Sequence, residues 1–130
     1  MIVLDASAAV EWLLQTSTGL QIEKRIYSRN ESMHSPHLLD VEVAHVLRRF
    51  VSGGRISAKR GEEALRDLQA SRITRYAHDV FLLRIWHHRQ NLSAYDATYV
   101  ALAEDLGAPL LTRDKRLSLA SGHAARIEVF

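Results

Sequence analysis

Four acids stand where this sequence passes from one kind of pattern to another. Asp5 follows Ile2-Val3-Leu4, an unbroken branched apolar run that suits a strand buried on both faces. Asp114 follows a second apolar run, Pro109-Leu110-Leu111-Thr112, by way of Arg113. Asp96 lies in the first turn of a helical pattern begun by Ser93, and Glu42 lies at the margin of another helix's apolar stripe. In open α/β sheets ligands bind at the carboxyl ends of strands, so Asp5 and Asp114 are expected at one sheet edge. Carboxylates gathered there raise one another's pKa unless a cation neutralises them. Oxygen donors without thiolate or paired histidines suit hard Mg²⁺ or Mn²⁺. Such an ion can activate water and hold a phosphate under attack, which is the chemistry of a metal-dependent nuclease.

Each acid also has a structural use. Asp5 or Ser7 can cap the helix that follows, and Asp114 the one beginning at Lys115. Ser93-Ala94-Tyr95-Asp96 matches a capping box, and Glu42 can pair with an arginine. Singly the two readings compete. Four acids expected at one edge favour the chemical one.

The elements that must position them follow from periodicity. Ser7 to Leu14 reads as a short helix, Thr16 to Gly19 as a break, and Gln21 to Arg29 as a second helix. Met33-His34-Ser35 is a short strand ended by Pro36, which is expected in the first turn of a helix running to Phe50. Leu39, Val43, Val46, Leu47 and Phe50 share that helix's inner face, and Gly53-Gly54 ends it. Ser57 caps a helix to Ala70 with Ala64, Leu65 and Leu68 inward, and Ile73 to Tyr76 is a strand. Asp79 to Gln90 is expected as one helix burying Val80, Leu83 and Trp86. From Ala94 to Leu106 a helix presents Tyr95, Tyr99, Leu102, Ala103 and Leu106 to the core. A strand to Thr112, a short helix from Lys115 to Ala120 and a last strand from Arg126 to Phe130 complete the chain. Strands alternating with helices predict a three-layer α/β/α sandwich around a parallel sheet, in one domain spanning 1–130.

Composition narrows the classes. The 130 residues are 47% hydrophobic and 25% charged, with no cysteine, which excludes disulfides and thiolate metal sites. His78, His87 and His88 lack a paired metal-ligand spacing and are expected on the surface or in packing. No basic leader and no uncharged apolar run of about 20 residues is present, so a soluble cytoplasmic protein is expected. The net charge is only +2, yet Lys24, Lys59 and Lys115 are the only lysines among 17 basic residues. Arginine forks phosphate and stacks on bases, a bias compatible with nucleic acid and equally with codon composition.

The acidic positions and their neighbours resemble those of PIN-domain ribonucleases. The resemblance rests on Asp5 within Val-Leu-Asp-Ala-Ser-Ala and Glu42 within the helix ending near Leu47. Asp96 within Tyr-Asp-Ala-Thr-Tyr-Val-Ala-Leu-Ala and Asp114 within Leu-Leu-Thr-Arg-Asp-Lys-Arg-Leu complete it. Size and order are similar to VapC-type toxins of prokaryotic toxin–antitoxin pairs. The resemblance implies Mg²⁺- or Mn²⁺-dependent RNA cleavage leaving a 5′-phosphate and a 3′-hydroxyl, homodimerisation, and inhibition by a cognate antitoxin. On that reading Asp5, Asp96 and Asp114 hold the metal directly or through water, and Glu42 orients a second ion or the attacking water. Ser7 and Thr112 are candidates to hold metal-bound water or a phosphate oxygen, with caps or turns as their alternative. Arg113, Lys115 and Arg116 are candidates for the RNA backbone, with solvated surface as theirs. In relatives the helices flanking Gly53-Gly54 supply a dimer surface and antitoxin groove; here the same positions also suit internal core. His45 stands where many relatives carry asparagine.

Two other readings fit parts of the pattern. Phosphatases with an aspartate nucleophile also open on Asp after the first strand, but their usual Asp-x-Asp has Ser7 in its second place here. A non-catalytic PIN-like module would bind RNA or a partner without cutting.

Overall fold

Ile2, Val3 and Leu4 are each 0% exposed, the mark of a strand covered on both faces. In the computed structural model, which describes residues 1–130, they form β1 (Ile2–Leu4), the central strand of a five-stranded sheet. The others are β2 (Met33–Pro36), β3 (Ile73–Tyr76), β4 (Leu110–Thr112) and β5 (Ile127–Val129). Their order is β3-β2-β1-β4-β5 and every pairing is parallel. Parallel neighbours need long crossovers, and helices supply them. These are α1 (Ala6–Leu14), α2 (Ser17–Tyr27), α3 (Leu38–Ser52), α4 (Ala58–Ala70), α5 (Leu82–His87), α6 (Ala94–Leu106) and α7 (Lys115–Leu119). The result is the α/β/α sandwich expected from the alternation of strands and helices. None of the helices is long and apolar enough to cross a membrane.

This strand order reverses direction at β1. The chain steps outward through β2 and β3, then returns to lay β4 on the other side of β1. Such a switch point opens a crevice at the carboxyl ends of the two strands. Leu4 is in register with Leu111, and the Asp5 N–H donates to the Leu111 carbonyl at 3.2 Å. The first acid is therefore pinned beside the end of β4.

Three local expectations are corrected. Pro36 closes β2 opposite Tyr76 instead of opening a helix, and the next ladder bond runs from His37 N–H to the Tyr76 carbonyl at 2.9 Å. Helix α3 then begins at Leu38. The break expected over Thr16–Gly19 is a helix start: Thr16 Oγ1 accepts from the Gly19 N–H at 2.9 Å and caps α2. Gly19 belongs in that helix because a Cβ there would lie 1.9 Å from the Glu11 carbonyl oxygen, so only glycine lets α2 meet α1.

The third correction concerns residues 79–90. Asp79–Phe81 is a 3₁₀ turn, and the tighter winding shifts the phase of the following helix. Phe81 and His88 turn inward, with Ile85 packed against the core, while Val80, Leu83 and Trp86 are 74%, 87% and 66% exposed. Tyr95, expected on the inner face of α6, is also exposed.

On β2, His34 is buried with one ring nitrogen 2.8 Å from Ser32 Oγ and the other 2.8 Å from Tyr76 Oη. Burial, with the N-terminal charge as a lesser cause, holds its pKa below the ordinary 6.5. A depressed folded value favours the neutral ring, so this stability is present above pH 6.5 and is lost as pH falls through the folded value. Melting temperatures measured between pH 7.5 and 5.5 are expected to fall by a few degrees more in wild type than in His34→Gln. Equal pH dependence in the two proteins would remove His34 from that account.

Candidate active site

Asp5 directly follows β1 and does cap α1, its Oδ1 accepting from the Ala8 N–H at 2.9 Å and from Ser7 Oγ at 2.7 Å. It is also 7% exposed, too buried for an ordinary cap. Burial pushes its carboxyl above the usual range, Asp96 pushes it further, and the Ser7 and Thr112 hydroxyls with the Ala8 N–H only partly offset this.

Helix α3 brings Glu42 to the same edge. Asp40 grips Arg75 of β3 at 2.8 Å and fixes the helix's rotation. Two residues on, about 200° around the axis, Glu42 faces the opposite way. It pairs with no arginine. Instead Tyr99 Oη donates to Glu42 Oε2 at 2.5 Å, joining α3 to α6. Burial raises the Glu42 carboxyl, the Tyr99 bond lowers it, and Asp5 and Asp96 raise it again. The charges of Asp5 and Asp96 thus reach Glu42 from two other elements.

Asp96 sits in the first turn of α6, whose cap is Ser93 Oγ accepting the Asp96 N–H at 3.1 Å. The return half of the capping box is not made. The half-buried Asp96 carboxylate has neither hydrogen bond nor ion pair within the chain. Asp114 differs. It caps α7 through the Arg116 N–H at 2.9 Å, and the Arg116 guanidinium clamps it at 2.7 Å. That cation holds its carboxyl below the usual range. Asp96 and Asp114 nevertheless line one cavity of about 360 Å³.

The remaining candidates are tied down to different degrees. Ser7 Oγ donates to Asp5 and accepts the Arg113 N–H at 2.8 Å, so it locks the β1 and β4 ends together. Thr112 Oγ1 accepts the Asp114 N–H at 2.9 Å and lies 3.3 Å from Ser7 Oγ. The Arg113 side chain turns to Glu11 at 3.0 Å and Thr18 at 3.1 Å. Lys115 is exposed and makes no ion pair. His45 is exposed without a side-chain hydrogen bond, so the partner of Glu42 is Tyr99.

Tyr99 had been legible only as a core residue. Its spacing one turn after Asp96 was the available signal, and nothing local revealed that its hydroxyl reaches another helix. Burial first, then Glu42, drives its pKa far up, so it remains a neutral donor. In Tyr99→Phe, loss of that donor raises the Glu42 pKa further. The acid limb of a pH–kcat/KM profile is expected to move to higher pH, with a loss that is largest on the acid side and shrinks as pH rises. A uniform loss at every pH would make Tyr99 a packing residue only.

The donor chemistry fits a hard divalent cation. Asp5, Glu42 and Asp96 offer only oxygens, and their mutual repulsion is what a cation relieves. As the side chains stand, no three acids or histidines are close enough to enclose an ion. Asp114 can join them by exchanging Arg116, whose 88% exposed side chain loses little in leaving a solvated pair.

Comparison with known proteins identifies the family. The PIN domain family model matches residues 2–122. VapC ribonuclease Mb0985 of Mycobacterium bovis is 46% identical over 91% of this chain and 89% of its own length. Ribonuclease VapC12 of Mycobacterium tuberculosis is 40% identical over 99% and 98%. The crystal structure of Mycobacterium tuberculosis VapC20, described as a sarcin-ricin loop cleaving toxin, superposes with a TM-score of 0.68 over 95% of this chain and 97% of that one. At 16% identity, it speaks for the fold alone. An acid-lined switch point in an all-parallel sandwich, matched along nearly its whole length by close relatives, makes this chain a member of the PIN-domain family, among its VapC ribonucleases.

Proposed function

We propose that this chain, as a single PIN domain, is a metal-dependent endoribonuclease and the toxin of a VapBC-type pair, acting in the cytoplasm and restrained by a cognate antitoxin. The observation carrying this reading is the placement of the buried Asp5 at the β1–β4 switch point, with Asp96 and Asp114 lining one cavity and Tyr99 holding Glu42. Asp5, Asp96 and Glu42, joined by Asp114, would hold Mg²⁺ or Mn²⁺. When bound, the ion supplies charge neutralisation and activation of water for attack on a phosphodiester.

The chain's own residues do the rest. Asp5 is held in one rotamer by Ser7 and Ala8, so its carboxylate is pre-oriented. Tyr99 favours the ionised form of Glu42 against the effect of burial and fixes its carboxylate, which can orient the attacking water and accept its proton. Lys115 is a free cation for the RNA backbone, and Arg116 becomes a second when it leaves Asp114.

Homodimerisation belongs to the same proposal, on a surface other than the one expected. Helices α3 and α4 pack on one another and on the core, burying Val43, Leu47, Ala64 and Leu68. Val41 stays exposed on α3, but the exposed apolar residues that cluster in sequence are Val80, Leu82, Leu83 and Trp86, around α5. A second copy would cover it.

The test is cleavage of a panel of structured RNAs by wild type and Asp96→Asn, with Mg²⁺, Mn²⁺ or EDTA. Wild type is expected to cut only with metal, and Asp96→Asn at least about 10³-fold more slowly. No cutting by folded, antitoxin-free wild type would turn the reading to a binding module. Burst release from a small phosphomonoester would turn it to an aspartate-nucleophile phosphatase.

A further inference from the structure

The cavity shared by Asp96 and Asp114 extends away from the acids. Its apolar lining is Leu92, Leu117 and Ala120, and Asn91, Ser93 and Arg116 are its other polar members. Two carboxylates in the wall make it a poor home for an anion. Its volume of about 360 Å³ falls within the range of small-ligand pockets and holds a base with its sugar.

Asn91 is the unusual member. It sits in the tight turn after α5, where its N–H and that of Leu92 both donate to the His88 carbonyl at 3.0 Å. Its side-chain amide makes no hydrogen bond within the protein, leaving one donor face and one acceptor face unused at the rim. Gly122 packs against it. A Cβ at Gly122 would lie 2.8 Å from Asn91 Nδ2, and its φ of +86° already demands glycine. The amide is thus backed by a backbone that admits no side chain.

We propose that this cavity is a nucleobase subsite. It receives the unpaired base of a nucleotide flanking the scissile phosphodiester, stacked on the Leu92–Leu117 floor and read along one edge by the Asn91 amide. This rests on the nuclease reading above, because two of the acids assigned to the reaction, Asp96 and Asp114, line the same cavity. Asparagine matches a base edge through a paired donor and acceptor, and single-stranded RNA exposes such edges. The wall contributed by Arg116 supplies a cation able to contact a base edge once it leaves Asp114. Asn91 is a specificity residue here and takes no part in the cleavage chemistry.

Two measurements test the subsite. In ¹⁵N-labelled protein titrated with the four nucleoside 5′-monophosphates, the largest shifts are expected at the Asn91 side-chain amide and the Leu92 and Leu117 N–H groups. One base should bind several-fold tighter than the others, and Asn91→Ala should abolish that ranking. In a randomised single-stranded RNA library, wild type should show a base preference at one position flanking the cut. Asn91→Ala should flatten that preference at least about fivefold while hydrolysing bis(p-nitrophenyl) phosphate, which carries no base, at the wild-type rate. Unchanged base preference in Asn91→Ala, or nucleotide shifts confined to other surfaces, would overturn the subsite. Loss of cleavage on every substrate by wild type, with the nucleotide shifts intact at Asn91, would instead overturn the nuclease reading and leave a nucleotide-binding cavity.

Discussion

Asp5→Asn is expected to lower RNA cleavage by about 10³-fold or more and, at the same time, to make the metal-free protein more stable at neutral pH. Both effects have one cause. Asp5 is buried, and burial, with the charge of Asp96 as a lesser cause, pushes its carboxyl above the usual range. A carboxyl raised on folding contributes stability below its unfolded pKa and loses it as pH rises through the folded value. Ionising this poorly solvated group therefore costs stability as pH rises through the folded value. Asparagine keeps an oxygen to accept from Ser7 and Ala8 and carries no charge. In EDTA the variant should gain in Tm relative to wild type as pH rises. That gain should shrink as pH falls. Adding Mg²⁺ or Mn²⁺ should raise the wild-type Tm by mass action and leave Asp5→Asn unmoved. Calorimetry at three pH values with and without metal reads all of this. A variant less stable than wild type at every pH would reduce Asp5 to a helix cap, and one that still cut RNA would end the metal-site proposal.

If the proposed homodimer forms through the α5 surface, Leu83→Asp is expected to leave the protein monomeric. The patch of Val80, Leu82, Leu83 and Trp86 is 74%, 58%, 87% and 66% exposed, across the 3₁₀ turn and the α5 helix that follows it. Apolar patches of about 300–600 Å² on a monomer mark interaction sites, and aromatic residues such as Trp86 dominate interface energetics. Arg89 lies 5.0 Å over the Trp86 ring and gives the patch a charged rim. A carboxylate at Leu83, facing its own symmetry mate, should weaken association at least about 100-fold, or roughly 3 kcal/mol. Sedimentation velocity at micromolar protein reads the change, and circular dichroism should be unaltered because Leu83 supports no core contact. An unchanged sedimentation coefficient for Leu83→Asp and for Trp86→Ala would place the dimer elsewhere or abolish it.

Where the local signal was physical, the fold was readable without coordinates. Ile2-Val3-Leu4 and Leu110-Leu111 are fully buried strands because unbroken branched runs have no other comfortable place. The helix over Ala94–Leu106 ends at Gly107, as its pattern and the glycine required. Asp5, Asp114 and the α6 cap were visible because caps and strand ends have fixed residue preferences. The inner face of residues 79–88 was not, because a single 3₁₀ turn rotates a helix and leaves its apolar count unchanged. Val80, Leu83 and Trp86 satisfy helical spacing as well as Phe81, Ile85 and His88 do. Only packing chooses between the two stripes.

The same division runs through the site. By itself the sequence determined which residue types were available for chemistry: oxygen donors only, placed at strand ends and helix starts, with arginines close by. Strand order, set by helices crossing on both faces, decided that Asp5 and the β4 end share a switch point. Tertiary contact decided that Glu42 answers to Tyr99, 57 residues away, and that Arg113 belongs to Glu11, 102 residues away. Electrostatics and hydrogen bonds act over a few ångströms in space, whatever the separation along the chain. Residue identity can therefore announce a carboxylate, but only the folded neighbourhood sets its charge, its partner and the direction it faces.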